Sequence, residues 1–446
     1  MEISIKETIF ISPSSPPFDQ DHILPLSHLD NDRNVQVNFR YVRAYANKTN
    51  PVNSSDPVNV ISDSLSKALV HYYQFAGTLR RRSTDSRLEL SCAAGDTAPV
   101  IHATSNRSLN SLNYLENPAD PFLEELVPDP SPTDSLLHPF TLQVTVFQCG
   151  GFTLGASIHH SMCDGMGSTQ FFNVMAEFAR GGDGNELTLK PVWNRASLLG
   201  PRDPPRVEVP FHEFLCLGNE FSGYSRPSEE VVRECFDVKD ECLERFKTSL
   251  RVESGLKFTT FEALGAFIWR ARVKASKVPE TEKVKFVYSI NIRRILNPPL
   301  PFGYWGNGCV AMYAQITAKD LLEQPLWKTA QLINKSKHNT SDEYVRSFID
   351  FQELHYAEGI TAGKEVSGFT DWRHLGHSTV DFGWGGPVTV LPLSRHLLGS
   401  SEICFFLPYS SVNEGEEDGF RVLVSLPKDA SPAFKDDFEG FIRSKF

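Results

Sequence analysis

A stretch rich in glycine and proline divides the chain near its middle and limits how the rest can fold. Residues 181–210 contain Gly181, Gly182 and Gly184, then Pro191, Pro201, Pro204, Pro205 and Pro210. Such a run cannot continue a helix or a central strand, and inside a compact chain it reads as a crossover between units. We therefore expect one unit at 1–180, a linker at 181–210 and a second unit at 211–446. The length, 446 residues, exceeds what a single hydrophobic core organises.

Strand and helix patterns lie on both sides of the break. Asp56-Pro57 opens a helix, with Val60, Ile61, Leu65, Leu69 and Tyr72 on one side and Gly77 as its end. Phe140, Leu142, Val144 and Val146 alternate as a half-buried strand, and Phe152, Leu154, Ala156 and Ile158 as another. With the turn Cys149-Gly150-Gly151 between them, 140–158 is predicted to be a β-hairpin. Met166 to Arg180 reads as a helix with Phe171, Met175 and Phe178 on one side. Thr259 and Glu262 have capping-box spacing before an apolar helix through Ala275. Val284, Phe286, Tyr288, Ile290 and Ile292 alternate as a further strand. The class is α/β or α+β, with mixed sheets.

Composition excludes several functions. Lys+Arg total 44 against 55 Asp+Glu, a net charge of −11. That opposes nonspecific binding to nucleic acid or an anionic membrane. The first residues, Met1 to Glu7, lack a basic segment followed by an apolar core, and no apolar run spans a bilayer, so a cytoplasmic protein is expected. Cys92, Cys149, Cys163, Cys216, Cys235, Cys242, Cys309 and Cys404 form no CxxC pair and read as reduced thiols. N-x-S/T triplets at Asn47, Asn53, Asn106, Asn334 and Asn339 then have no glycosylation role. The last residues, Ser444-Lys445-Phe446, differ from the peroxisomal signal at the final position.

The chemistry-bearing segment is Ile158-His159-His160-Ser161-Met162-Cys163-Asp164-Gly165, where a strand ends and a helix begins. A neutral imidazole there can take a proton from a hydroxyl or an amine. Asp164 either orients His160 or anchors the turn through an arginine or a backbone N–H. The same pattern also fits a packed histidine followed by a helix cap. A metal site on His159, His160 and Asp164 is a third reading, opposed by the alternation of neighbouring side chains and the lack of another ligand. There is no G-x-S-x-G elbow, P-loop or G-x-G-x-x-G turn. Asp381-Phe382-Gly383 has no kinase partner motifs.

Two distant segments together resemble the paired signatures of the plant BAHD acyltransferases: His160 to Gly165 (HSMCDG) and Asp381 to Gly385 (DFGWG). Leu26 to Asp30, Phe75 to Gly77 with Leu79-Arg80, Asn297 to Pro301 and Gly303 to Asn307 agree, so the resemblance covers essentially the whole chain. Cys149 to Phe152, Ala179 to Gly181 and Asp371 to Arg373 resemble the branch that esterifies alcohols with acetyl or benzoyl groups, including taxane acyltransferases.

The resemblance implies an α/β fold of two chloramphenicol-acetyltransferase-like domains with mixed sheets and a channel between them. Acyl-CoA, the co-substrate, and a small-molecule alcohol acceptor meet at His160, the general base. Trp372, with Thr370 nearby, is the implied oxyanion donor. Asp164 is implied to pair with Arg293, so that these two, with Gly165, support the site. Asp381, Gly383, Trp384 and Gly385 are implied to support it from a distance. The helix start at Thr259 and Thr260, with Lys257, is the implied coenzyme A contact. No metal and no permanently bound cofactor are implied, and the protein is expected to be a monomer. The family's Tyr-Phe-Gly-Asn segment has Trp305 here, which either alters the acceptor pocket or fills the core. Acylation of an amine or polyamine, and a noncatalytic binding protein, are the alternatives.

Overall fold

A computed structural model describes residues 3–47, 56–182, 187–218, 230–394, 397, 402–408 and 418–444. Asn53, Gly184, Lys445 and Phe446 lie outside the described residues.

Two six-stranded mixed sheets carry the fold. The first runs Ile3–Ile11, Ala98–Ser105, Phe140–Phe147, Phe152–His159, Asn38–Tyr45 and Thr389–Pro392. The second runs Val231–Val238, Phe420–Pro427, Glu402–Leu407, Val366–Asp371, Lys283–Asn291 and Cys309–Thr317. Two large hydrophobic cores form, and the one beneath the first sheet also takes Ile403, Phe405, Leu407 and Leu423 from the second.

The division at the linker is not clean. Thr389–Pro392 pairs antiparallel with Tyr41 to Ala44, so four residues from the 211–446 segment complete the first sheet. Trp384 lies edge-on to Phe152 in the turn that leads into that strand. Asp381 Oδ1 accepts the N–H groups of Gly383 (2.7 Å) and Gly385 (2.8 Å), both at positive φ, where a β-carbon would be strained. The DFGWG segment is thus a tight turn docking a crossing strand.

The hairpin forms as expected, from Phe140–Phe147 and Phe152–His159 in antiparallel register. Its strands are not half-buried, however. Every residue of Phe152–His159 is buried, as is nearly every residue of Phe140–Phe147. The polar set Thr141, Gln143, Thr145, Thr153 and Ser157 faces a second layer rather than water. Gln143 Nε2 donates to Glu125 O (2.8 Å), and the 3-10 segment Pro121–Leu126 closes over Gly155.

Helix Pro57–Ala68 starts where Asp56 accepts the Val58 N–H, but it stops at Ala68 and a 3-10 turn at Tyr73–Phe75 precedes Gly77. Helix Gly165–Ala179 is capped by Asp164, and Thr260–Ala275 has the complete capping box of Thr259 and Glu262.

The linker is anchored by charge. The Arg202 guanidinium and N–H grip Asp350, which is fully buried, at 2.6 and 2.8 Å; Nη1 reaches Glu343 at 2.9 Å. Further upstream the linker delivers Arg195 into the protein, between the rings of Trp193 and Trp305. Trp305 is completely buried against Tyr72 and Phe75 and does not border the cavity described below, so its role is packing.

Candidate active site

Between the two sheets lies a cavity of about 540 Å³. His160, Tyr41 and Phe39 line it from the first half; Phe261, Thr370 and Trp372 line it from the second. His160 follows the last residue of its strand, and its N–H donates to Val37 O (2.8 Å), which extends the pairing with the neighbouring chain by one residue. Here the alternation of the strand matters. His159 is buried on the opposite side, its pKa pushed down to about 3 by burial, while His160 reaches the cavity.

The partners of His160 fix its protonation. Asn307 Nδ2 donates to Asp30 Oδ1 (2.9 Å) and to His160 O (2.8 Å), so Oδ1 is the atom facing the imidazole. An amide oxygen only accepts, so His160 Nδ1 carries the hydrogen in that 3.1 Å contact. Nε2 then holds the free lone pair. Burial lowers the His160 pKa below 6.5, which keeps the ring neutral at neutral pH; contacts with its own backbone, Asp164, Asn307 and Asp30 oppose the shift.

Asp30 is itself fully buried. It accepts from Ser27 Oγ (2.7 Å) and from the Asn307 N–H (3.0 Å), and Arg195 Nη1 lies 3.4 Å away. A chain of groups from the N-terminal segment, the linker and the 303–307 segment therefore holds the imidazole. Asn307 and Asp30 lie in GYWGN and LSHLD, segments the sequence marks only as resemblances. Their polar character among apolar neighbours is the signal for them.

Asp164 makes no hydrogen bond to His160. Its carboxylate takes Arg293 Nη1 (2.8 Å) and Nη2 (3.0 Å), and also the N–H groups of Gly167 (2.8 Å) and Gly308 (2.9 Å). Desolvation alone would raise its pKa; Arg293 and the N–H donors outweigh it and hold the carboxyl below 3.8. The pair links the helix after His160 to the second half. Close approach continues at Gly167, where a β-carbon would stand 2.0 Å from Trp305 O. Gly165 borders the cavity beside Leu375.

Trp372 is buried, with ring centroids 5.4 Å from Phe39 and 4.9 Å from His377, and Phe39 lies 5.8 Å from His160. Thr370, two residues earlier at the end of strand Val366–Asp371, also faces the cavity. The structure thus brings His160, Thr370 and Trp372 together. Asp381, Gly383, Trp384 and Gly385 do not border the cavity. Nor do Lys257, Thr259 and Thr260; Lys257 is exposed. The cation that borders the cavity at that helix start is Lys337, which the sequence does not single out. It reaches Glu262 Oε1 (2.9 Å) and lies 5.0 Å from the Phe261 ring centroid.

The arrangement provides a neutral base, a cavity of about 540 Å³ and aromatic walls. Among the described residues, no cluster of three His, Cys, Asp or Glu side chains is placed to hold a metal ion. No helix among them is long and apolar enough to cross a membrane.

Residues 1–441 match the model of a family described as "Transferase family". The chain is 33% identical over 434 residues to spermidine coumaroyl-CoA acyltransferase of Arabidopsis thaliana, covering 92% of this chain and 90% of that protein. It is 33% identical to taxadien-5-alpha-ol O-acetyltransferase of Taxus cuspidata, covering 99% and 98%. The fold is similar to that of vinorine synthase, with a TM-score of 0.71 and 21% identity over 97% of this chain and 96% of the other. It is also similar to that of F. graminearum TRI101 complexed with coenzyme A and deoxynivalenol, with a TM-score of 0.75 and 15% identity over 94% and 98%. On the family match and the length of these alignments, the chain belongs to the Transferase family, the BAHD acyltransferases.

Proposed function

We infer that the protein transfers an acyl group from an acyl-CoA thioester to a hydroxyl of a small specialised metabolite, with His160 as general base. The observation that carries this reading is the neutral His160 ring, its Nδ1–H held by Asn307, at the edge of a cavity between the halves. His160 Nε2 takes the acceptor's proton as the acceptor oxygen attacks the thioester carbonyl. The new C–O bond forms as the carbonyl π pair moves to oxygen. That oxyanion needs a donor, and Trp372, with Thr370 beside it, supplies the polar hydrogens; one such donor contributes about 3–4 kcal/mol. Collapse breaks the C–S bond, and the departing CoA thiolate takes the proton from His160. No acyl-enzyme is needed.

Asp164, Arg293 and Gly165 act by holding the His160 turn, and Asp381 to Gly385 by docking the crossing strand. Coenzyme A is assigned to the side of the helix that starts at Thr259 and Thr260, where free N–H groups favour a phosphate. Lys257, exposed two residues before Thr259, is assigned there as a phosphate contact. The units 1–180 and 211–446, joined by 181–210, a single copy of the chain and a cytoplasmic location complete the reading.

Acylation of an amine is the second reading. Spermidine coumaroyl-CoA acyltransferase is as similar to this chain as the taxane enzyme, and Asp32, which borders the cavity, has no cationic partner among the described residues. The test is thiol release from acetyl-, benzoyl- and hydroxycinnamoyl-CoA against pooled alcohols and amines, with His160→Ala beside the unaltered protein. Acceptor-dependent release that disappears in the variant is expected. A folded His160→Ala protein with full activity overturns the mechanism.

A further inference from the structure

The charges that border the cavity are Asp32, Asp164, Lys337 and Asp371. Three of them are neutralised by a neighbour: Asp164 by Arg293 at 2.8 Å, Lys337 by Glu262 at 2.9 Å and Asp371 by Arg373 at 2.6 Å. Asp32 is different. Its polar neighbours are the Asn34 N–H (2.9 Å), Asn34 Nδ2 (2.8 Å) and the Gln352 amide, all neutral. Among the described residues it has no cationic partner.

Its position is fixed in advance. Asp32 caps the 3-10 turn Arg33–Val35 through the Asn34 N–H. Asn34 Nδ2 also donates to Ile360 O (3.2 Å), which ties the loop to the second half. Both hydrogen bonds from Asn34 fall on Oδ1, so Oδ2 has only the neutral Gln352 amide as a neighbour and retains a lone pair for a ligand. Burial pushes the Asp32 carboxyl above its ordinary 3.8, the direction expected of an anion withdrawn from water with no cation to stabilise it. Asp32 is half-buried, and a charge partly withdrawn from water without a counter-ion carries a cost that is offset when the missing charge arrives with a ligand.

We propose that Asp32 is a specificity-determining residue that receives a protonated amine of the acceptor, so that the preferred acceptor is cationic. The proposal rests on the acyltransferase reading and adds the class of its acceptor. The bound ammonium group stays protonated at Asp32. The group that attacks is a separate hydroxyl or neutral amine of the same molecule, presented to His160 Nε2. Acceptors of this class are polyamines and alcohols carrying an aliphatic amine. A metal ion at Asp32 would need further ligands, and no such cluster occurs among the described residues.

The experiment uses the full chain with acetyl-CoA and a length series of linear diamines, amino alcohols and diols. The readouts are thiol release and calorimetric binding of each acceptor. The diol is the neutral control for the amino alcohol of equal length. We expect kcat/KM to favour the ammonium-bearing member by roughly 10–100-fold, the range of one charge-assisted hydrogen bond. Asp32→Asn, which keeps the capping oxygen, should collapse that ratio toward one, and Asp32→Ser, a second capping residue without charge, should do the same. A ratio near one in the unaltered protein, or a ratio unchanged in both folded variants, overturns the proposal and leaves the acyltransferase reading standing. If no acceptor is turned over, that reading fails, and calorimetry still decides. Diamine binding weakened about tenfold or more by Asp32→Asn supports the ammonium site, and absent or unaltered binding refutes it.

Discussion

Replacing Arg293 with methionine separates a structural role for Asp164 from a chemical one. Arg293 and Asp164 meet through two hydrogen bonds, at 2.8 and 3.0 Å, with side chains 14% and 7% exposed. Methionine keeps much of the volume and removes the charge. The Asp164 carboxylate is left with the Gly167 and Gly308 N–H groups and no cation. Removing one member of a buried pair costs about 3–5 kcal/mol, because the other charge stays desolvated. For a unit of about 150–250 residues that is a fall in melting temperature of roughly 6–20 °C.

The sign with pH is specific. In the unaltered protein the Asp164 carboxyl is held below 3.8, so its stabilisation is present above that value and fades as pH falls through the folded pKa. Without Arg293, desolvation dominates and the folded pKa rises above 3.8. The carboxyl then destabilises the fold increasingly as pH rises past the unfolded value. The gap in melting temperature between the two proteins should be large near about pH 8 and shrink toward about pH 4. Calorimetric scans across that range measure it. Asp164→Asn combined with Arg293→Met should recover part of the loss, since no buried anion remains. A penalty below about 1 kcal/mol, equal at every pH, would refute the reasoning.

Other expectations concern the base and its surroundings. Because burial lowers the His160 pKa from 6.5, the kcat/KM profile should lose activity on the acid side only below that value. A limb that begins above 6.5 would contradict the assigned environment. Asn307→Ala removes the group that holds His160 Nδ1–H and strips Asp30 of the side-chain Nδ2 donor, while the backbone N–H stays. It should lower kcat about 10–100-fold, whereas Asn307→Asp should shift the acid limb upward by placing a carboxylate beside the ring. Trp372→Phe keeps an aromatic wall and removes the indole N–H. A fall in kcat on the order of 10²–10³ with little change in KM supports an oxyanion donor, and an unchanged kcat assigns Trp372 to packing alone. Gly167→Ala meets Trp305 O at 2.0 Å and should destabilise the protein, as thermal melting would show.

The sequence displays local elements more plainly than the contacts between them. The hairpin before His160 and the helix after it follow from alternation, glycine placement and the Asp164 cap, all within about forty residues. What hides the second layer is its distance along the chain: the polar alternation of Thr141, Gln143 and Thr145 suits either water or a covering loop, and Pro121–Leu126 supplies the loop. The strand Thr389–Pro392 is four residues long, and nothing in it names a partner some 350 residues upstream. Lys257 and Lys337 show the same limit at the cavity. Proximity in sequence favours Lys257 for the helix start, yet a neighbouring helix brings Lys337 back to Glu262 and Phe261. Asp30 and Asp32 stand two residues apart in one acidic run, and only the fold separates a network carboxylate from one facing a cavity.

The late strand has a consequence for synthesis on the ribosome. Asn38–Tyr45 bonds to Phe152–His159 on one side and to Thr389–Pro392 on the other. When the first 180 residues have emerged, that second side has no partner, and a row of unsatisfied backbone groups faces the cell. About 209 residues separate 180 from 389. At typical elongation rates of about 5–20 residues per second, the open edge persists for roughly 10–40 s. A nascent chain is therefore exposed to strand addition from its neighbours throughout that interval. Slowing translation through the second half should lower the soluble yield, and supplying residues 381–394 as a separate peptide to the 1–210 fragment should raise it.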